Sequence, residues 1–292
     1  MLFTHRKELQ YNAKPTSPDP VYAKKLQEIL GGQFGEITVM MQYLFQGWNC
    51  RAEQKYKDML LDIGTEEIAH VEMIATMIAQ LLDGAPAKEQ EEAAAKNPAV
   101  EAVLGGMNPQ HVIVSGLGAT PTDSVGYPWN SRYTIASGNL LADFRANLNA
   151  ESQGRLQVVR LYESTTDPGV RDMLSFLIAR DTMHQNQWMA AIEELEANQK
   201  AIVPSTFPQE LEKQEVSYAF MNFSEGEQSS NGRWAKGESM DGQGSFEYVS
   251  RPQAMGQNPQ LQPAPAYIHG TAPPDTLPPE TSQANYSSPS KN

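Results

Sequence analysis

The stretch "DTMHQNQW", residues 181 to 188, sets Asp181 three places before His184, and on a helix that offset puts two side chains on one face. Earlier in the chain "EEIAHVE", residues 66 to 72, repeats the pattern with Glu67 and His70. Bundles that hold two metal ions between carboxylates carry such an acid-x-x-His pair on each of two helices and a lone inward Glu on each of two others. The fold therefore turns on whether the sequence supplies two more helices with lone acids. A second question is what the shorter Asp181 does where those bundles usually have Glu.

Helical spacing of apolar residues supplies the helices. One is expected from about Pro20 to Cys50, through Leu26, Ile29, Leu30, Ile37, Met40, Met41, Leu44 and Phe45, and a second from about Glu53 to Leu82, stopped by "DGAP". A third, from about Ser137 to Ser164, leads through "TTDPGV" into a fourth ending near Gln199, with Asp167 as N-cap and Pro168 at the first helical position. Two hairpins separated by a long connection, about residues 84 to 136, predict an all-α four-helix bundle with a long crossover between helices 2 and 3. Within the crossover, "AKEQEEAAAK" suggests a short helix, and the apolar run inside "HVIVSGL" a strand. Residues 1 to 200 thus form the bundle and 201 to 251 a C-terminal segment. Residues 252 to 292 hold nine of the twenty prolines and read as an extended tail.

The lone acids are present. Glu36 interrupts the apolar face of the first helix and Glu151 that of the third, and a buried carboxylate is costly unless it is paired, neutralised or bound to metal. Antiparallel helices bring residues equidistant from their turn to one level. Glu36 and Glu67 are centred near Arg51, in the first joint, and Glu151 and Asp181 on Thr166, in the second. At 1.5 Å per residue both hairpins carry their polar groups about 22 Å from the turn. Carboxylates and imidazoles converging in this way suit iron or manganese rather than thiolate-seeking metals. Glu66 and Glu72 read as solvated neighbours, His5, His111 and His269 as structural or surface groups, and the methionines as core.

Composition narrows the rest. A net charge of −13 and the lack of a basic patch argue against nucleic acid. No run approaches the roughly 18 apolar residues of a membrane helix. The single cysteine, Cys50, and an N-terminus without an apolar leader-like run suggest a reducing cytoplasm.

At "GEITVMMQYLFQ" (35 to 46), "GTEEIAHVEMIATMI" (64 to 78), "LNAESQGRLQVVRLYE" (148 to 163) and "DTMHQNQW" the chain closely resembles the manganese catalases, non-haem dimanganese members of the ferritin-like superfamily, over about residues 1 to 250. The resemblance implies disproportionation of hydrogen peroxide to water and dioxygen at two manganese ions per subunit. It implies that Glu67 bridges them, that Glu36 and His70 complete one ion, and that Glu151 and His184 complete the other. Asp181 falls where the family has a proton-handling carboxylate beside the metals, and Tyr43 matches a tyrosine that hydrogen-bonds near the ligands. Some members place an arginine just before the third-helix Glu; this chain has Ala150, and Arg155 one turn later is the candidate to take its place. The resemblance further implies a homohexamer whose C-terminal segments wrap neighbouring subunits. It also implies calcium between subunits, held by Asp58, Asp62, Asn222, Ser224 and Gly226. Two rivals share the bundle: a di-iron oxidase or peroxidase, and a non-enzymatic metal-storage or coat-like protein.

Overall fold

Asp19 and Pro20 start the first helix as a pair, the Asp19 carboxylate accepting from the Tyr22 N–H at 2.9 Å while proline presets the first helical turn. In this computed structural model, which describes residues 6–83, 114–204, 207–262 and 264–269, five long helices follow. They are α1 (Pro20–Gly31), α2 (Glu36–Asn49), α3 (Gln54–Leu82), α4 (Leu140–Glu163) and α5 (Pro168–Gln199). The single helix expected from about Pro20 to Cys50 is therefore two. Between them residues 32 to 35 pass so close to α1 that a Cβ at Gly35 would lie 2.9 Å from the Ile29 carbonyl, an approach that glycine permits. Thr38 fastens the corner by donating from Oγ1 to the Gly32 carbonyl at 3.1 Å.

α2 packs on α3 and α4 on α5, with α1 against α3 and further contacts between α2 and α4 and between α3 and α5. This is the expected bundle of two hairpins. Of the crossover, residues 84–113 lie outside the described residues, and with them the proposed short helix and most of the proposed strand. The described end of that apolar run is a turn, closed by the Gly118 N–H on the Ser115 carbonyl at 3.1 Å. From there the crossover is tied to α1, where Gln27 donates to the Thr120 and Thr122 carbonyls at 2.6 and 2.8 Å.

Asp167 caps α5 as the sequence suggests, accepting from the Gly169 and Val170 N–H groups at 2.8 and 3.0 Å, and it also anchors Thr16 N at 2.8 Å. Asp167→Ala is expected to destabilise the metal-free protein by about 1 kcal/mol at neutral pH. These hydrogen bonds hold the carboxyl below its ordinary value of 3.8, against the opposing effect of partial burial. A depressed folded-state pKa gives stability that is present above the unfolded value and lost as pH falls through the folded one. Thermal unfolding should therefore separate variant from parent at pH 7 and bring them together in strong acid.

The chain forms two compact units, Met1–Phe207 and Pro208–Asn292. The second contains α6 (Gln214–Ser217), β1 (Ala219–Met221), β2 (Gly237–Glu238), β3 (Ser245–Val249) and α7 (Ala266–His269). Its sheet has the order β1-β3-β2, with β1 parallel to β3, pairing Ala219 with Glu247, and β2 antiparallel to it. Phe220 meets Tyr248 edge-on, and Arg233 lies over Phe246, which gives this small unit its own contacts. Among the described residues no helix is long and apolar enough to cross a membrane.

The bundle core is two clusters rather than one. In α3 the first takes positions 73 to 82 and the second positions 56 to 63; in α5 the divisions are 170 to 177 and 188 to 195. In α4 the second cluster ends at Ala150 and the first begins at Val158. At one level every long helix of the two hairpins thus leaves the apolar core. The residues at that level are Glu36, Glu67, His70, Glu151, Asp181 and His184.

Candidate metal centre

All six of these side chains are buried, from fully enclosed His70 and His184 to Glu36 at 8% exposure. Glu67 lies at the middle. One of its oxygens is 2.6 Å from His70 Nδ1 and the other 2.9 Å from His184 Nδ1. His70 Nδ1 is 3.9 Å from Glu36, and His184 Nδ1 is 3.5 Å from Glu151. The potential ligand atoms form two groups, Glu36–Glu67–His70 and Glu67–Glu151–His184, each gathered within 4.8 Å. Glu67 belongs to both. Tyr43 donates from its hydroxyl to Glu151 at 2.6 Å, fixing one carboxylate from the α2 side.

Electrostatics show what this layer requires. Burial first, and then the neighbouring Glu67, raises the Glu36 carboxyl well above the ordinary range. Burial raises Glu151 as well. Asp181 is pushed well up by burial and by the charges of Glu151 and Glu67. Burial acts on Glu67 in the same direction, yet the positive charge and hydrogen bond of His70, together with the nearby His184, hold it below its ordinary value. Burial would lower the two imidazoles, but the surrounding carboxylates prevail and hold both above the usual histidine range. Bare burial of ionised groups costs several kcal/mol each, so the polypeptide satisfies the cluster with protons.

A divalent cation would take the place of those protons. His184 Nδ1 makes no hydrogen bond of good geometry although it is enclosed among carboxylates, leaving its nitrogen available as a ligand. Oxygen donors with one imidazole on each side form a suitable set for manganese or iron. The residues fit.

Glu66 corrects the sequence reading that took it for a solvated neighbour. It is largely withdrawn from solvent and accepts from His184 Nε2 at 3.1 Å and from Arg180 at 2.6 and 3.1 Å. A signal was present in the sequence, since Glu66 precedes His70 by four and Arg180 precedes His184 by four, offsets that also share a helix face. Glu72 is half-buried.

The other singled-out residues lie apart from the six. Arg155 donates from Nε to Thr182 Oγ1 at 3.2 Å, and Ala150 is buried in the apolar core. Asp58 and Asp62 are exposed on α3, where Asp58 accepts from Gln54 at 2.7 Å. Asn222, Ser224 and Gly226 close a loop after β1 through the Asn222 side chain, with Gly226 at φ +81. Of the methionines expected in the core, Met73, Met77 and Met173 are buried, whereas Met40 and Met41 are only partly buried and Met183, Met189, Met240 and Met255 are exposed. His5 and His111 lie outside the described residues, as does the His269 side chain.

A four-helix bundle with a buried layer of carboxylates and two histidines, one carboxylate common to two ligand groups, belongs to the ferritin-like dimetal class. The model of the manganese-containing catalases matches residues 1–280, and the chain belongs to that family. It is 70% identical to the Bacillus subtilis protein YjqC over 94% of this chain and 99% of that one. It is 63% identical to the manganese catalase of the same organism over 93% and 99%. A crystal structure of KatB, a manganese catalase from Anabaena, aligns with a TM-score of 0.66 at 26% identity, covering 86% of this chain and all of that one.

Proposed function

We infer that this chain is a catalase that converts two hydrogen peroxide molecules to two waters and one dioxygen. The observation that carries the reading is the pair of buried ligand groups sharing Glu67. Glu36 and His70 would hold one manganese ion and Glu151 and His184 the other, with Glu67 across both. When bound, the two ions supply the redox chemistry, alternating between Mn(II)2 and Mn(III)2 as one peroxide is reduced and the next oxidised.

The chain supplies the proton handling. Asp181, 5% exposed and with a raised carboxyl pKa, can take a proton from one peroxide and return it when an O–O bond is cleaved. Tyr43 holds Glu151 by a hydrogen bond and, with its own pKa well above 10, keeps its proton throughout. The apolar clusters above and below the layer exclude bulk water. Arg155, one turn beyond the position where the resemblance expects an arginine before Glu151, is tied to Thr182 and would act on the site only from outside its buried layer.

Around this chemistry we place a homohexamer in the cytoplasm. Exposed Phe45 and Trp48 on α2, and Phe223 and Trp234 in the C-terminal unit, support subunit contacts. Calcium, with Asp58, Asp62, Asn222, Ser224 and Gly226 as its oxygen ligands, would serve assembly rather than the reaction.

Elemental analysis paired with an oxygen electrode tests the reading. Two manganese per chain and one dioxygen released per two peroxides consumed are expected. Iron at that stoichiometry, or no dioxygen from fully manganese-loaded protein, would overturn it.

A further inference from the structure

Glu66 has only acceptor atoms, and every group around it is a donor. Its Oε2 faces His184 Nε2 at 3.1 Å and Arg180 Nη2 at 3.1 Å. Its Oε1 faces Arg180 Nε at 2.6 Å, Gln10 Nε2 at 2.8 Å and His70 Nε2 at 3.7 Å. The two imidazoles are stacked with centroids 5.9 Å apart and planes 27° from parallel, and the carboxylate that hydrogen-bonds His184 stands 3.7 Å from His70 Nε2, a charge contact rather than a hydrogen bond. On the opposite side both rings turn Nδ1 toward Glu67.

We propose that Glu66 is a positioning residue of the metal centre: its carboxylate sets His184 as the Nε2–H tautomer through the 3.1 Å hydrogen bond, aiming the Nδ1 lone pair at the ligand layer, and its charge 3.7 Å behind His70 Nε2 favours the same tautomer there. A neutral imidazole carries one N–H and one lone pair, and whichever nitrogen donates outward leaves the other free for a metal. A metal-ligating histidine commonly donates its other ring N–H to an outer carboxylate; here Glu66 does this for His184 and faces His70 through charge, so a single change acts most strongly on the His184 ion. The proposal rests on the reading of His70 and His184 as manganese ligands.

Glu66 is itself held in place. Arg180 grips it with two parallel N–H groups, the geometry in which arginine fixes a carboxylate plane. Gln10 reaches it from the segment preceding α1. That segment is fastened by Tyr11, which stacks on Phe176 at 4.5 Å and donates to Asp172 at 3.0 Å, while the Phe176 ring stands edge-on to His70. Arg180 and Gln10 thereby connect the outer wall of the bundle to the back of both rings.

Glu66→Gln keeps the shape and replaces one acceptor by an N–H2 that must face donors on one side. Manganese(II) titration of the metal-free full-length protein, read by the electron paramagnetic resonance of unbound ion, is expected to show affinity reduced about 10- to 100-fold. Pulsed measurements of the bound ions should show altered histidine nitrogen couplings, which a loss of fold stability alone would not produce. Arg180→Met, which leaves Glu66 in place, should weaken binding in the same direction, and it decides the matter if Glu66→Gln fails to fold. Unchanged affinity and unchanged nitrogen couplings in the folded variants would overturn the proposal while leaving the catalase reading intact. A parent protein that binds no manganese would overturn both.

Discussion

Glu67→Ala is expected to give a chain that holds less than one manganese per subunit and releases no measurable dioxygen from peroxide. Glu67 is the one residue common to both ligand groups, and its two oxygens stand 2.6 and 2.9 Å from the Nδ1 atoms of the two histidines. Its removal therefore leaves each half-site one carboxylate short and deprives the pair of the group that couples them. Glu36→Ala provides the contrast, because Glu36 belongs to one group only, and Glu67, Glu151 and His184 remain together. That variant should bind about one manganese with near-parent affinity, since the surviving three-ligand set matches a normal open site. Both should lose turnover, but by different routes: the first by emptying the site, the second by leaving a single ion unable to complete a two-electron cycle. Metal content separates them. A Glu67→Ala protein that retained two manganese per chain would refute the bridging role.

The stability of the same variants carries a second reading. In the polypeptide, Glu67 is the leading counter-charge of His70 and, behind Glu151 and Glu66, one of those that keep His184 above the usual histidine range. Removing one member of a buried charge network typically destabilises by about 3–5 kcal/mol. Loss of manganese and loss of stability are therefore to be measured separately, the first by titration and the second by thermal unfolding of metal-free protein.

The bundle and its polar layer were legible in the sequence because they depend on period and distance. Helical spacing marked the hairpins, and the equal separation of Glu36 and Glu67, and of Glu151 and Asp181, from their turns placed all four acids at one level. Folding fills the space above and below that level with apolar side chains, which is why the break in hydrophobic pattern at these positions was informative. Two features escaped. The kink between α1 and α2 goes with the approach of Gly35 to the Ile29 carbonyl, a contact between backbones that no periodicity encodes, although the glycine-rich "GGQFG" at residues 31 to 35 parts the apolar stripe between Leu30 and Ile37 and was a signal passed over. Glu66 escaped for the opposite reason. Its exposed-looking position beside Glu67 suggested solvent, and its burial comes from Arg180 on another helix and Gln10 from before α1, partners that are 114 and 56 residues away in sequence.

Asp181→Asn is expected to retain most of its manganese and to lose about 10²- to 10⁴-fold in turnover, the range that positioned acid–base groups contribute. Asp181 lies outside both ligand groups although it is buried at their level. With one methylene fewer than Glu, it reaches less far from α5 toward the shared ligands, whereas His184 one turn on has its Nδ1 within 3.5 Å of both Glu67 and Glu151. Burial and the charges of Glu151 and Glu67 raise its carboxyl pKa, so it remains protonated to higher pH than a surface carboxylate. Bound cations would oppose that shift by favouring the ionised form, moving the group toward the range in which it both accepts and donates. Asparagine matches the shape and can hydrogen-bond, but it can do neither step. The loss should therefore fall on turnover rather than on peroxide binding, and the dependence of activity on the ionisation of this carboxyl should disappear from the pH profile. His184→Ala is the control that fails differently, because it loses metal. If Asp181→Asn emptied the site as His184→Ala does, Asp181 would be a ligand after all. Its shortness would then need a different explanation from the one the geometry supports, in which the missing methylene keeps the carboxyl near the ions and free to exchange protons.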